Sequence, residues 1–131
     1  MTTYLLDANV VIALTVREHV LFDRASRWFG TVARVALCPV SEGALIRYLI
    51  RIGVPASSSR TLLRVLRDDP RFEFWPDDLS YADLDVARPT GHRQVTDAYL
   101  TGLAAHHGGL LATLDRALNE TLPDETFLIP E

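Results

Sequence analysis

The sequence predicts an α/β fold, a parallel sheet of about four to five strands with helices on both faces. Short apolar runs recur along the chain, at Tyr4-Leu5-Leu6, Val35-Ala36-Leu37-Cys38 and Leu110-Leu111-Ala112-Thr113. Each is followed by a stretch in which apolar residues return at helical spacing, and breakers such as Gly53-Val54-Pro55 and Gly108-Gly109 close the helices. Buried strands alternating with helices need crossover connections, and those build parallel sheets. With no internal repeat, low-complexity tract or long linker, residues 1–131 read as one domain, long enough for a sizeable core.

The elements follow in order. Tyr4 to Leu6 is the first strand and ends at Asp7; Val10 to about Val16 is a helix with Arg17-Glu18-His19 as its polar end. A second helix is predicted over Val20 to Val32, with Leu21, Phe22, Ala25, Trp28 and Phe29 on one apolar face. Val35 to Cys38 is a buried strand, and Pro39 suits the first turn of a helix that runs to about Arg51. Ser57 opens a helix to about Asp69, Phe72 to Trp75 alternates as a strand, and Leu79 to Ala87 is predicted helical before the break at Pro89-Thr90-Gly91. A helix from Gln94 to His107, the Leu110 strand, a helical turn at Arg116 to Asn119 and a last strand near Thr126 to Ile129 complete the chain.

Composition removes several function classes. All thirteen basic residues are Arg, so chemistry that requires a lysine is excluded: the P-loop NTPases, Schiff-base enzymes and lysine-dependent phospho-aspartate enzymes. A net charge of −4 argues against binding nucleic acid by bulk attraction alone. No apolar run is long enough for a membrane helix, and no basic region precedes the first apolar residues as in a secretory signal. The single Cys38 forms no internal disulfide and fits a reducing cytoplasm.

Four acids hold matching positions. Asp7 ends the first strand, Glu42 and Asp97 fall in the first turns of helices, and Asp115 follows the Leu110 strand. Strand carboxyl ends and helix N-termini share one edge of such a sheet, where ligands gather. Each acid has an ordinary alternative, as a cap or as a charge set against a helix dipole for ~0.3–1 kcal/mol. Four together repel and raise one another's pKa, which calls for a cation. An all-oxygen set suits Mg²⁺ or Mn²⁺, ions that activate water and offset phosphodiester charge.

The runs Leu5-Leu6-Asp7-Ala8-Asn9, Val40-Ser41-Glu42, Val95-Thr96-Asp97-Ala98-Tyr99-Leu100 and Ala112-Thr113-Leu114-Asp115 closely resemble the PIN-domain ribonucleases, and in size and spacing the VapC-type toxins of type II toxin–antitoxin pairs. The resemblance implies a PIN-like fold and a metal-dependent endoribonuclease with Asp7, Glu42, Asp97 and Asp115 as catalytic and metal-binding acids. It implies support from Asn9 and Thr113, a VapB-type antitoxin, a homodimer and a cytoplasmic setting. Apolar residues on the first three helices, among them Val16, Val20, Phe22, Trp28, Ile46 and Ile50, suggest surface shared with a second copy. A catalytically silent PIN-like RNA- or protein-binding module is one alternative. A phospho-aspartate hydrolase or receiver-like protein is another, set back by the missing Lys and by Asn at position 9.

Outside the acids, Arg60, Arg64, Arg67 and Arg71 recur at helical spacing, as a solvated face or as a contact for RNA phosphates or an acidic partner. His92 and Arg93, just before Asp97, are either loop residues or phosphate contacts. His106-His107 suits the negative end of its helix dipole, and Trp28 and Trp75 read as packing residues.

Overall fold

The computed structural model describes residues 1–84 and 91–131. Its elements run β1 (Tyr4–Leu6), α1 (Ala8–Thr15), α2 (Phe22–Phe29), β2 (Val35–Leu37), α3 (Pro39–Arg51), α4 (Ala56–Arg67), β3 (Phe72–Phe74), α5 (Val95–His106), β4 (Leu110–Thr113), α6 (Arg116–Thr121) and β5 (Thr126–Leu128). The sheet is five-stranded in the order β3-β2-β1-β4-β5, and every neighbouring pair is parallel. The chain winds outward from β1 to β3, then returns to place β4 on the other side of β1. That reversal makes the carboxyl end of β1 and β4 the switch point, where an open α/β sheet leaves a crevice.

Strand alternation divides the core in two. Leu6, Val35, Leu37 and Ala112 face α1, α2 and α3, where Val10, Val11, Ala25, Trp28, Leu45 and Leu49 pack on them. Leu5, Ala36 and Leu111 face the opposite way, toward Trp75 and the Tyr99, Leu100, Leu103 and Ala104 stripe of α5. Trp28 is closed in by the Tyr4 and Phe127 rings, at centroid separations of 5.5 and 5.9 Å. Both tryptophans are buried, as expected of packing residues. Among the described residues no helix is long and apolar enough to cross a membrane.

Several boundaries differ from the sequence reading. The first helix starts at Ala8, not Val10, because the Asp7 carboxylate accepts the Ala8 N–H at 2.7 Å and caps it. The second is confined to Phe22–Phe29: His19 Nδ1 accepts the Leu21 N–H before it, and Thr31 Oγ1 turns back onto the Trp28 carbonyl after it. The expected Leu79 to Ala87 helix is absent over its described part, where one 3-10 turn at Tyr81–Asp83 is capped by Ser80. Leu84 is already extended. Leu79 and Leu84 instead lie against Gly102, and Tyr81 stacks on Tyr99, so this segment straps the outside of α5. Residues 85–87 of that predicted helix, and the break at Pro89 and Thr90, lie outside the described residues.

Candidate active site

Asp7 leaves β1 at the switch point with only 4% of its surface exposed. One carboxylate oxygen accepts the Ala8 N–H, and the other accepts the Thr113 hydroxyl at 2.9 Å. Thr113, fully buried at the end of β4, also accepts the Asp115 N–H at 3.0 Å. One side chain thereby ties the acid after β1 to the acid after β4. Asp115 caps α6 by accepting the Leu118 N–H at 3.1 Å. Asp97, in the first turn of α5, faces the same crevice and is half-buried. With Gln94, Ala98, Leu118, Thr121 and Leu122, Asp97 and Asp115 line a cleft of about 120 Å³.

Electrostatics mark these three acids as neighbours. Burial, with the charges of Asp97 and Asp115, lifts the Asp7 carboxyl to about 6, against the pull of its Thr113 and Ala8 hydrogen bonds. Asp97 is also raised, by burial and then by the Asp115 charge. The cap fixes the Asp7 carboxylate, and the charges of Asp97 and Asp115 reach the place where it stands.

Glu42 is separated from this trio in its interactions. It occupies the first turn of α3, and its carboxyl is raised by burial, opposed by the Arg67 guanidinium and raised again by Asp77. Arg67 approaches Glu42 Oε2 only to 3.8 Å, and among the described residues that buried oxygen has no hydrogen-bond partner. Beneath it Ser41 donates to the Leu6 carbonyl at 2.8 Å, which pins the start of α3 to the end of β1. Asn9 is exposed at the second position of α1 and, among the described residues, makes no hydrogen bond to Asp7. Of the two residues expected to support the acids, Thr113 is bonded to one and Asn9 is not.

The arginines do not form one helical face. α4 ends at Arg67, so Arg71 lies beyond it. Arg71 pairs with Asp69 at 2.9 Å, donates to the Phe29 and Val32 carbonyls and stacks on Phe29, which commits it to the fold. Arg60 and Arg64 are exposed on α4, and Arg67 lies between Glu42 and the Phe74 ring. His92 is exposed in a 3-10 turn before α5, and the side chain of Arg93 lies outside the described residues.

Three features of the site escaped sequence reasoning. Gln94 lines the cleft from the position before α5; its spacing of three from Asp97 was the available signal. Asp77 faces Glu42 and Cys38, which no local pattern announces. His107 bonds Asp78 and stacks on Trp75, so the helix dipole alone does not account for it.

The PIN-domain family model matches residues 4–121, from β1 into α6. This chain belongs to the PIN-domain family. Within the PIN family it is 49% identical to ribonuclease VapC29 of Mycobacterium tuberculosis over 129 residues, covering 98% of this chain and 97% of that protein. It is 35% identical over 118 residues to ribonuclease VapC38 of the same organism, covering 85% and 84%. These similarities place it among the VapC proteins of the family. The fold matches a chain in the crystal structure of VapBC2 from Rickettsia felis bound to a DNA fragment from their promoter, with a TM-score of 0.70, 14% identity and 97% of each chain covered. The PIN-like α/β architecture expected from the sequence is the architecture observed.

The chemistry of these acids, oxygen donors only, is the kind that a hard divalent cation takes. Asp7, Asp97 and Asp115 offer only oxygen, and burial with neighbouring acidic charge raises the Asp7 and Asp97 carboxyls; apart from them, Glu42 Oε2 is buried and, among the described residues, has no hydrogen-bond partner.

Proposed function

We propose that this protein is a VapC-type endoribonuclease toxin that hydrolyses RNA at the cleft between β1, β4 and α5 with Mg²⁺ or Mn²⁺. The observation that carries the reading is the convergence of Asp7, Asp97 and Asp115 from elements far apart in sequence: Thr113 bonds both the Asp7 carboxylate and the Asp115 N–H, and Asp97 and Asp115 line one cleft. Asp7, Asp97 and Asp115 would hold the cation, with Glu42 the fourth acid. When bound, the cation supplies positive charge that neutralises the acids, offsets charge on the phosphodiester and makes water a better nucleophile. Asp7, held at both oxygens, cannot rotate away from the crevice. Asp97, half-buried in the first turn of α5 and lining the cleft, would orient the attacking water beside the substrate. Thr113 and Gln94 position the acids and the substrate edge, and the exposed Arg60 and Arg64 meet RNA phosphates along α4.

The relatives bear ribonuclease names, and the fold neighbour is a VapBC complex. The names support RNA as the substrate and the complex supports a VapB-type antitoxin as the partner, and the reading sets both in the cytoplasm. We read residues 1–131 as one PIN domain that pairs with a second copy. Trp28 and Leu49 are taken up by the chain's own core, whereas Val20 and Ile50 stay open, 89% and 47% exposed, and leave apolar surface for that contact.

The deciding experiment is RNA cleavage by purified protein with Mn²⁺, with chelator, and with Asp97→Asn. Cleavage that falls at least ~100-fold in both controls fits the expected loss of charge stabilisation. Cleavage that survives chelation, or an Asp97→Asn protein that cuts normally, removes the reading. Light scattering tests the pairing, since a mass of 14.6 kDa would mean a single chain.

A further inference from the structure

We propose that Asp78, His106 and His107 form a second cation site, suited to a borderline transition ion of the Zn²⁺ class, at the C-terminal end of α5. Among the described residues these three are the group of potential ligands whose donor atoms all lie within 4.8 Å of one another. Asp78 Oδ1 is 2.8 Å from His107 Nε2 and 3.7 Å from His106 Nε2. A tetrahedral ion with ligands at ~2.0–2.1 Å separates them by roughly 3.3 Å, between those two values. Two imidazoles and a carboxylate favour Zn²⁺, Co²⁺ or Ni²⁺ over Mg²⁺, the reverse of the all-oxygen cleft. The two sites sit at opposite ends of one helix: Asp97 is in the first turn of α5 and His106 is its last residue, about 13 Å further along the axis.

The surroundings hold the ligands in place. The His107 ring stacks on Trp75 at 4.7 Å with a 13° interplanar angle. Trp75 is itself buried and donates its indole N–H to Glu73 at 3.2 Å. Gly109 admits that indole, since a Cβ there would meet Trp75 at 2.8 Å. His106 stands edge-on to His107, at 89°, so the two rings approach from different directions. The carbonyl end of the α5 dipole adds negative potential. An open coordination position faces solvent, because Asp78 and His106 are 46% and 44% exposed. A bound ion would fasten the 75–84 strap to the end of α5, cross-linking the two segments that Asp78 and His107 already join by a hydrogen bond.

The test uses tag-free protein, stripped with chelator and then held in excess Mg²⁺, titrated with Zn²⁺ by calorimetry and by thermal unfolding. The native chain should bind one more Zn²⁺ than His106→Gln, or bind it at least ~10-fold more tightly, the smallest loss that follows from disturbing a metal's ligands. The rise in Tm on adding Zn²⁺ should shrink in both His106→Gln and Asp78→Asn. His107→Gln also removes the Trp75 stack, so the exposed His106 provides the cleaner variant. Co²⁺ gives an independent readout, an intense four-coordinate visible band lost in His106→Gln. Equal Zn²⁺ uptake and equal Tm shifts in the native chain and His106→Gln would overturn the site.

Discussion

Thr113 donates its only hydroxyl proton to Asp7 across 106 positions of sequence, and its oxygen accepts the Asp115 N–H. The direction is fixed, because an ionised carboxylate can only accept and a backbone N–H can only donate. Thr113→Val, nearly the same shape, should strip Asp7 of a donor and leave the Asp115 N–H without an acceptor. The expected cost is roughly 1–3 kcal/mol by urea unfolding, with a further rise in the Asp7 pKa, while Thr113→Ser should recover most of it. A neutral Thr113→Val would show that water replaces both bonds.

Stability without divalent cations should depend on pH with an unusual sign. The Asp7 carboxyl is near 6 in the fold against 3.8 in the free chain, so the folded state binds more protons between those values. Stability therefore falls as pH rises through that window, by up to about 3 kcal/mol from this group, and the loss is complete above 6. Asp7→Asn should remove this dependence, so its denaturation midpoint in chelator stays level over the window in which the native chain's falls. Its amide keeps one acceptor oxygen for the Ala8 N–H and the Thr113 hydroxyl, a constant cost at every pH. Saturating Mn²⁺ should stabilise the native chain and not the variant, because the ion stabilises only the charged site. A native chain whose stability does not fall across that window in chelator would contradict the burial argument.

Gly109→Ala tests the junction between α5 and β4. The added Cβ would collide with the Thr3 carbonyl oxygen and with the Trp75 ring, and backbone cannot yield cheaply. A loss of ~2 kcal/mol or more is expected. Gly43→Ala, at a position with open space around it, is the control and should be neutral or slightly stabilising in its helix.

The arginines should separate into two behaviours. Arg71→Gln breaks the Asp69 pair and two carbonyl contacts, so it should lower stability by about 1–2 kcal/mol without altering the salt dependence of RNA binding. Arg60→Gln with Arg64→Gln should leave stability within ~0.5 kcal/mol and flatten the salt slope of RNA binding by about one or two contacts. Filter binding over a salt series, beside urea curves, reads both. An unchanged slope would make Arg60 and Arg64 a solvated surface.

Much of this protein was legible in its sequence because the signals are local. The apolar run ending at Asp7, the Pro at the start of α3 and the Gly108-Gly109 stop each act over one turn or one strand, and these elements appeared where expected. The segment from Leu79 to Leu84 misled for the complementary reason. Its apolar residues are spaced for a helix, yet they are used by tertiary packing against Gly102 and Tyr99, which no local pattern encodes.

Which carboxylates exist, that no lysine can take part, and that strand ends and helix starts share one edge can all be read along the chain. How the acids divide depends on packing in three dimensions. Burial and then the charges of Asp97 and Asp115 act on Asp7, and burial and then Asp115 act on Asp97, whereas Glu42 answers to burial, Arg67 and Asp77. Only the fold, too, brought Asp78 to the histidines that end α5. The physical reason is range. Secondary structure is set by neighbours along the chain, but desolvation and Coulomb energy depend on distances through space, and those are fixed only when the sheet order and the strap over α5 are in place.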